Sequence, residues 1–322
     1  MTNRTFSRRA LLTAAMGLMV PLALRAASDP LNVIDGTGRQ VSVGATPRRI
    51  IVLTGPGYVT LATLGVRPIG VSIGPTFTER STYLFERASE FAIVTGLGGQ
   101  LDLEKIVALE PDLIIGSQSE ELAALEGSIP IYYGGFRKGL RGIYEEVRTL
   151  GALLDAAPRA ETAIAAFERD LDTYRARAPR NRNAVIAVCV SPTSFWIFTQ
   201  DVEFCEIASA LLGKTGIDYP TRNGWINAGI ESLLYFNPDT LILVDYSPAG
   251  EGARRAELSA TPLWSALKAV QHDQVFFLDG RESLLLMGLP TASRLLDQIA
   301  TKVYPDLFPK PMHTDIGNPI DG

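Results

Sequence analysis

A chain of 322 residues, with 46% hydrophobic and 20% charged side chains, has ample core for one or two globular domains, which excludes a disordered chain. The formal net charge is −5; the first 27 residues carry Arg4, Arg8, Arg9 and Arg25 but no acid, so without them it becomes −9. A protein this acidic is a poor partner for nucleic acid or an anionic membrane surface.

The first stretch reads as an address. Phe6-Ser7-Arg8-Arg9-Ala10-Leu11-Leu12 sets paired arginines before an apolar run ending near Leu24, and Ala26-Ala27-Ser28 supplies small residues for cleavage. Residues 1–27 therefore resemble a twin-arginine export signal, which implies a periplasmic protein. The apolar run, about 15 residues, falls short of the ~20 that span a bilayer. No Cys near the cleavage site is available for a lipid anchor. The two cysteines, Cys189 and Cys205, are expected as buried free thiols, with a disulfide as the alternative.

Past the leader, Leu31 to Val43 place apolar residues on both sides of a D-G-T-G turn, a β-hairpin pattern. Arg49 to Leu53 reads as a buried strand, Thr54-Gly55-Pro56-Gly57 breaks it, and a helix runs through Leu64. Arg67 to Ser72 and Ile129 to Tyr133 are further strands of a four- or five-strand parallel lobe. Gly139 to Ala178 changes to helix periodicity; Pro158 suits the first turn of a second helix, with Asp155 as its cap. About 20 helical residues span roughly 30 Å, enough to cross from one lobe to another.

A second lobe follows. Asn183 to Val190 and Phe195 to Phe198 read as adjoining strands, Val202 to Leu212 as a helix, Gln274 to Leu278 as a strand and Pro290 to Val303 as a last helix. The tail from Pro305, with four prolines, is expected to be loosely held. One unit occurs twice. Leu103 to Gly116 and Ile230 to Leu243 each open a short helix with a Glu, break it at Pro-Asp and continue as an apolar strand. Glu104 and Glu231, Pro111 and Pro238, and Asp112 and Asp239 are each 127 residues apart. A helix-strand unit cannot bury its own apolar face, so the repeat implies two similar α/β lobes with a cleft between them. The divisions are residues 28–155 for the first lobe, 156–179 for the interlobe helix, 180–304 for the second lobe and 305–322 for the tail.

Four stretches in order, P-R-R-I-I-V-L, L-A-T-L-G-V-R-P-I-G-V, L-D-L-E-K-I-V-A-L-E-P-D-L-I-I and T-P-L-W-S-A-L-K-A-V-Q-H-D-Q-V-F-F-L-D, resemble the helical-backbone class of periplasmic solute-binding proteins. These serve importers of ferric siderophores, haem and cobalamin. The resemblance covers the mature chain and implies two Rossmann-like α/β lobes with parallel sheets, joined by one long helix and holding ligand between them. It implies a monomer delivering a small molecule to an inner-membrane ABC permease dimer with its ATPase subunits. It also gives Glu104 and Glu231 a role, since one surface Glu on each lobe of such proteins pairs with arginines of the permease. Helix-terminus stabilisation accounts for the same glutamates without a partner.

Ligands of α/β lobes bind beyond the carboxyl ends of the strands. The loops there hold Tyr58, Arg80 and Tyr83 in the first lobe, and Trp196, Arg222, Trp225, Tyr246 and Arg281 in the second. Arg offers a planar donor fork to carboxylate or catecholate oxygens, and aromatic walls suit a large, partly apolar chelate. Trp196 also suits packing beside Phe198 on one strand face. A ferric siderophore is the expected cargo, with no resident cofactor or metal. Haem, with Tyr58 or Tyr83 as axial ligand, and cobalamin are the alternatives. With only His272 and His313 in the chain, a bare-metal site is disfavoured. Gly70-Val71-Ser72-Ile73-Gly74 matches a hydrolase nucleophile elbow, but Pro75-Thr76-Phe77-Thr78 reads as loop where a helix should start. An enzyme is not expected.

Overall fold

The computed structural model describes residues 30–72, 84–85, 90–96, 99–134, 139–247, 250–280 and 288–313. The leader and the expected ligand residues Arg80, Tyr83 and Arg281 lie outside them.

Strands β1 (Leu31–Ile34) and β2 (Gln40–Val43) form the hairpin, paired antiparallel with Leu31 opposite Val43. Asp35 organises the turn: its Oδ1 accepts from the amides of Thr37 and Arg39 at 2.9 and 3.0 Å. Burial pushes that carboxyl up, but the hydrogen bonds from Thr37 and Arg39 outweigh it and hold it below the usual range.

The first lobe contains β3 (Ile50–Val52), α1 (Gly55–Leu64), β4 (Gly70–Val71), β5 (Ala92–Ile93), α2 (Leu103–Ala108), β6 (Leu113–Gly116), α3 (Glu120–Ala123) and β7 (Ile131–Tyr133). Its five strands are all parallel, in the order β5-β4-β3-β6-β7. All of β6 is buried, as a strand covered on both faces must be. One expectation fails here. Gly55-Pro56-Gly57 is the first turn of α1 and no loop: the Thr54 hydroxyl caps it by accepting from the Gly57 amide, and Pro56 gives up no hydrogen bond at that position.

Helices α4 (Gly139–Leu153) and α5 (Ala157–Arg177) follow. Asp155 does not cap α5; it takes a left-handed φ of 57° in the connection, and the capping position is Ala156, which makes no side-chain bond. The second lobe contains β8 (Arg182–Ser191), β9 (Ser194–Phe198), α6 (Glu203–Leu212), β10 (Gly213–Thr215), β11 (Trp225–Ala228), α7 (Ile230–Phe236), β12 (Thr240–Asp245), α8 (Gly250–Ser259), α9 (Lys268–Gln271), β13 (Val275–Asp279) and α10 (Leu289–Val303). Strands β8, β12 and β13 are parallel, and β10 joins β8 in the same sense. Strands β9 and β11 extend this sheet antiparallel, so it is mixed where a parallel sheet was expected.

The repeat is a repeat in structure. Glu110 and Asn237, again 127 apart, both take left-handed φ values, 46° and 41°, between the helix and the Pro-Asp step. Each aspartate then fixes the start of the neighbouring strand. The Asp112 carboxylate accepts from the Arg48 and Arg49 amides at 2.7 and 2.9 Å; the Asp239 amide donates to the Asn183 carbonyl at 2.8 Å, and its carboxylate is paired with Lys268.

One apolar core runs through both lobes. It joins Val52 and Leu113 of the first sheet to Ile186 and Val244 of the second through Ile164, Phe167, Leu171 and Tyr174, a 3-and-4-residue stripe along α5. Two smaller clusters cover the outer sheet faces, one around Ile114 and one around Leu243 and Trp264. The lobes also touch directly: the Leu140 amide of α4 donates to Glu206 of α6 at 2.7 Å, and a Cβ on Gly288 would lie 2.4 Å from Val59 of α1. Cys205 belongs to the shared core and Cys189 to the outer cluster of the second lobe; both are free, and the sheet separates them.

The tail also departs from expectation. As far as His313 it is strapped down, with Phe308 buried against Tyr174, the Arg177 guanidinium stacked on Phe308, and an Arg177 N–H donated to the Leu307 carbonyl at 2.6 Å. Three of the four prolines, Pro305, Pro309 and Pro311, lie in this strapped stretch, where a fixed φ stiffens the chain as readily as it breaks a helix.

Candidate ligand-binding site

Alternation along β9 decides what each of its side chains faces. Phe195 and Ile197 enter the outer cluster, while Phe198 enters the core shared by the lobes. Trp196 is on the same side as Phe198 but nearer the end of the sheet, and it is 42% exposed. Pairing of β11 with β9 sets Trp225 opposite Phe198 and Asn227 opposite Trp196, so Trp225, 40% exposed, lies on that face too. The indole centroids are 6.4 Å apart at 36°. Trp225 was expected in a loop; it opens a short strand that the Gly-Trp-Ile-Asn-Ala pattern is too brief to reveal.

Strand β8 completes the ledge. Val188 is opposite Trp196, and Val190, two residues on, is exposed where the ladder bulges between Cys189 and Ser191. Beyond the C-terminal ends of β8 and β12, a pocket of about 310 Å³ is lined by Trp196, Val188, Cys189, Tyr246, Asp245 and Arg254, among others. Tyr246 lies against Gly280, where a Cβ would be 2.6 Å from its ring. Burial, with the nearby Asp279 charge, pushes the Tyr246 hydroxyl up to about 12. Burial takes the Cys189 thiol to about 11 against the opposing charge of Arg254. Both groups stay protonated at neutral pH.

Arg254 was missed in the sequence. It projects from α8, whose Gly-Glu-Gly-Ala-Arg-Arg pattern carries no apolar stripe to announce a helix. Its Nε donates to Asp245 Oδ1 at 3.2 Å and its Nη1 to Glu257 at 2.7 Å.

The remaining expectations divide. Tyr58 is a correction: it is fully buried inside α1, its ring edge-on to Phe85 at 4.8 Å, so it presents no wall to a cleft and no open face to a haem iron. Arg222 is exposed on the turn ahead of Trp225, which the Thr221 hydroxyl closes by accepting from the Gly224 amide. Glu104 and Glu231 are both exposed in the first turns of α2 and α7. Asp102 caps α2 through the Lys105 amide, while Glu231 folds back over Gly229. Of the elbow residues, the Ser72 hydroxyl donates to the Leu53 carbonyl at 2.9 Å, and the His272 ring contacts its own helix at the Lys268 carbonyl. Neither is poised as a nucleophile or base.

A two-lobed α/β protein with one parallel and one mostly parallel sheet, one long connecting helix and an aromatic ledge on the second sheet has the form of a solute-binding protein. The chain belongs to the periplasmic binding protein family, whose model matches residues 50–282. The Fe(3+)-citrate-binding protein YfmC of Bacillus subtilis is 25% identical over 290 residues, covering 86% of this chain and 87% of its own. Among solved structures, Staphylococcus aureus SirA complexed with staphyloferrin B superposes with a TM-score of 0.69 at 20% identity, over 85% of this chain and 98% of its own. The triscatecholate siderophore binding protein FeuA of Bacillus subtilis, complexed with ferri-bacillibactin, gives 0.67 at 19% identity, over 85% and 98%.

Proposed function

We propose that the protein is the substrate-binding component of an ABC importer and carries a ferric chelate, most simply a ferric siderophore, between its lobes. The observation that carries this reading is the pair of half-exposed indoles, Trp196 and Trp225, on the side of the second sheet that faces the other lobe. Large aromatic side chains left in water at the mouth of a pocket are a binding surface for a partly apolar ligand. The names of the relatives support the same class: YfmC is called an Fe(3+)-citrate-binding protein and FeuA is described with ferri-bacillibactin. The twin-arginine leader would deliver the folded protein to the periplasm, and Glu104 and Glu231, one on each lobe, would meet cations on the two halves of a permease.

The test is tryptophan fluorescence of the purified protein against a ferric hydroxamate, a ferric catecholate, ferric citrate, haemin and cyanocobalamin, with inner-filter controls. Saturable micromolar quenching by a ferric chelate is expected. Saturation by haemin or cyanocobalamin alone would replace iron chelates as the cargo, and no response to any of the five would remove the reading.

A further inference from the structure

The pocket behind Trp196 contains a polar pair that the fold does not use up. Asp245 is 8% exposed, and its Oδ1 takes both the Ser247 amide at 3.1 Å and Arg254 Nε at 3.2 Å. Its Oδ2 accepts no hydrogen bond among the described residues, although the residue lines the pocket. Arg254, whose side chain is 11% exposed, spends Nε on Asp245 and Nη1 on Glu257 and keeps its Nη2 protons. An acceptor and a donor are therefore both unspent on residues that line the pocket, together with Trp196, Tyr246, Val188, Val190 and Cys189. A purely apolar occupant would leave both polar groups dry and unpaired, which is costly. One hydroxyl satisfies both, donating to Oδ2 and accepting from Nη2.

Charge restricts the occupant further. Among the described residues that line the pocket the one guanidinium is already shared between the Asp245 and Glu257 carboxylates, which leaves them no cation for an anionic group. About 310 Å³ is at the low end for ligand pockets and takes one ring-bearing arm, leaving the body of a chelate outside on the Trp196–Trp225 ledge. We infer that this pocket selects a neutral hydroxylated aromatic ring, an uncharged phenol or catechol arm whose hydroxyls are not ligands of the iron, and rejects carboxylate-bearing arms of the same shape. The inference rests on the reading above in taking the arm to belong to the carried chelate.

Two isosteric probes separate charge from shape without iron: 2,3-dihydroxybenzamide, neutral at pH 7, and 2,3-dihydroxybenzoate, an anion. Each is titrated into the purified protein by calorimetry and by ligand-observed NMR. The amide is expected to bind saturably and at least about tenfold tighter than the benzoate. Trp196→Ala, on the exposed ledge where folding does not depend on it, should weaken the amide by about tenfold or more. Asp245→Asn keeps the shape and should narrow the gap between the probes. Should Asp245→Asn fail to fold, Trp196→Ala still decides. Equal affinities, tighter benzoate, insensitivity to Trp196→Ala, or no saturation by about 10 mM would each overturn the inference. Since no probe contains iron, such a failure leaves the ferric-chelate reading to its own titration, and a failed chelate panel with selective amide binding would do the reverse.

Discussion

Asp170 and Asp297 stand on different helices, α5 and α10, and the His313 imidazole joins them. Its Nε2 is 2.9 Å from Asp170 Oδ2 and its Nδ1 is 2.8 Å from Asp297 Oδ2. Asp297 also accepts from the Tyr174 hydroxyl at 2.6 Å and from the Met312 and His313 amides. The last described residue of the tail thus closes a clasp between the interlobe helix and the last helix of the second lobe.

That clasp makes stability pH-dependent in a defined direction. The hydrogen bonds to Asp170 and Asp297 raise His313 from 6.5 to about 9, so the folded protein holds a proton that the unfolded chain has lost between those values. The stabilisation is fully present below about pH 6.5 and disappears as pH rises through about 9, an effect on the order of 3 kcal/mol. On the acid side, burial raises the Asp297 carboxyl, but the hydrogen bonds from His313, Tyr174 and Met312 prevail and lower it. Its contribution is present above 3.8 and is lost as pH falls further. Thermal melts should show Tm falling from pH 6.5 to 9, and His313→Gln should flatten that slope while lowering Tm at pH 6. An unchanged slope in the variant would remove the clasp as its cause.

The repeated turns carry unequal strain. Asn237 tolerates its left-handed φ of 41°, because its short side chain suits that region; Glu110, at 46°, has no such excuse. Arg49 holds Glu110 in place by donating to the Glu110 carbonyl at 2.9 Å and to the Leu109 carbonyl at 2.5 Å. Glu110→Asn should therefore stabilise the protein by about 0.5–1 kcal/mol in denaturant titrations, while Asn237→Glu should cost a similar amount. Equal and negligible effects at both positions would mean that the strain is absorbed elsewhere.

Where apolar periodicity sets an element, the sequence was legible. The hairpin, the buried strands, both helices of the crossing segment and the two Pro-Asp units follow from spacing and breakers alone. Three things were not. Strand β10 and strand β11 are short, and β11 alternates only partly buried residues, so neither leaves a period to read. Helix α8 is solvated except at Leu258, and Arg254 went unseen with it. Tyr58 failed for another reason: a Gly-Pro-Gly that reads as a break is compatible with a helix start, and only the Thr54 cap distinguishes them. Trp196, Trp225 and Tyr246 were legible as residue types beyond strand ends, but their meeting depends on strand pairing 29 residues apart, Trp196 to Trp225, which no local pattern encodes.

Gly280 sets the position of one pocket wall. With a Cβ there 2.6 Å from the Tyr246 ring, Gly280→Ala must push that ring away from β13 and into the pocket. Chelate affinity is expected to drop by about tenfold. The Tm should change little, because Tyr246 is only partly buried. Loss of stability with unchanged affinity would place Tyr246 in the core and out of the site.

Glu206 predicts how far the lobes can move. It reaches from α6 to cap the first turn of α4, and the left-handed Gly139 beside it, with φ 71°, leaves room for its carboxylate, 2.7 Å from where a Cβ would stand. Glu206→Ala removes the acceptor and should cost about 1 kcal/mol, whereas Glu206→Gln retains it and should cost less. The shared core under α5 argues that this bond is one tie among many, so neither variant should free the lobes. Small-angle scattering should give the same radius of gyration for wild type and Glu206→Ala, with and without the ligand found by titration. An expansion in Glu206→Ala would make this single carboxylate the restraint on opening and the continuous core a weaker one than its packing implies.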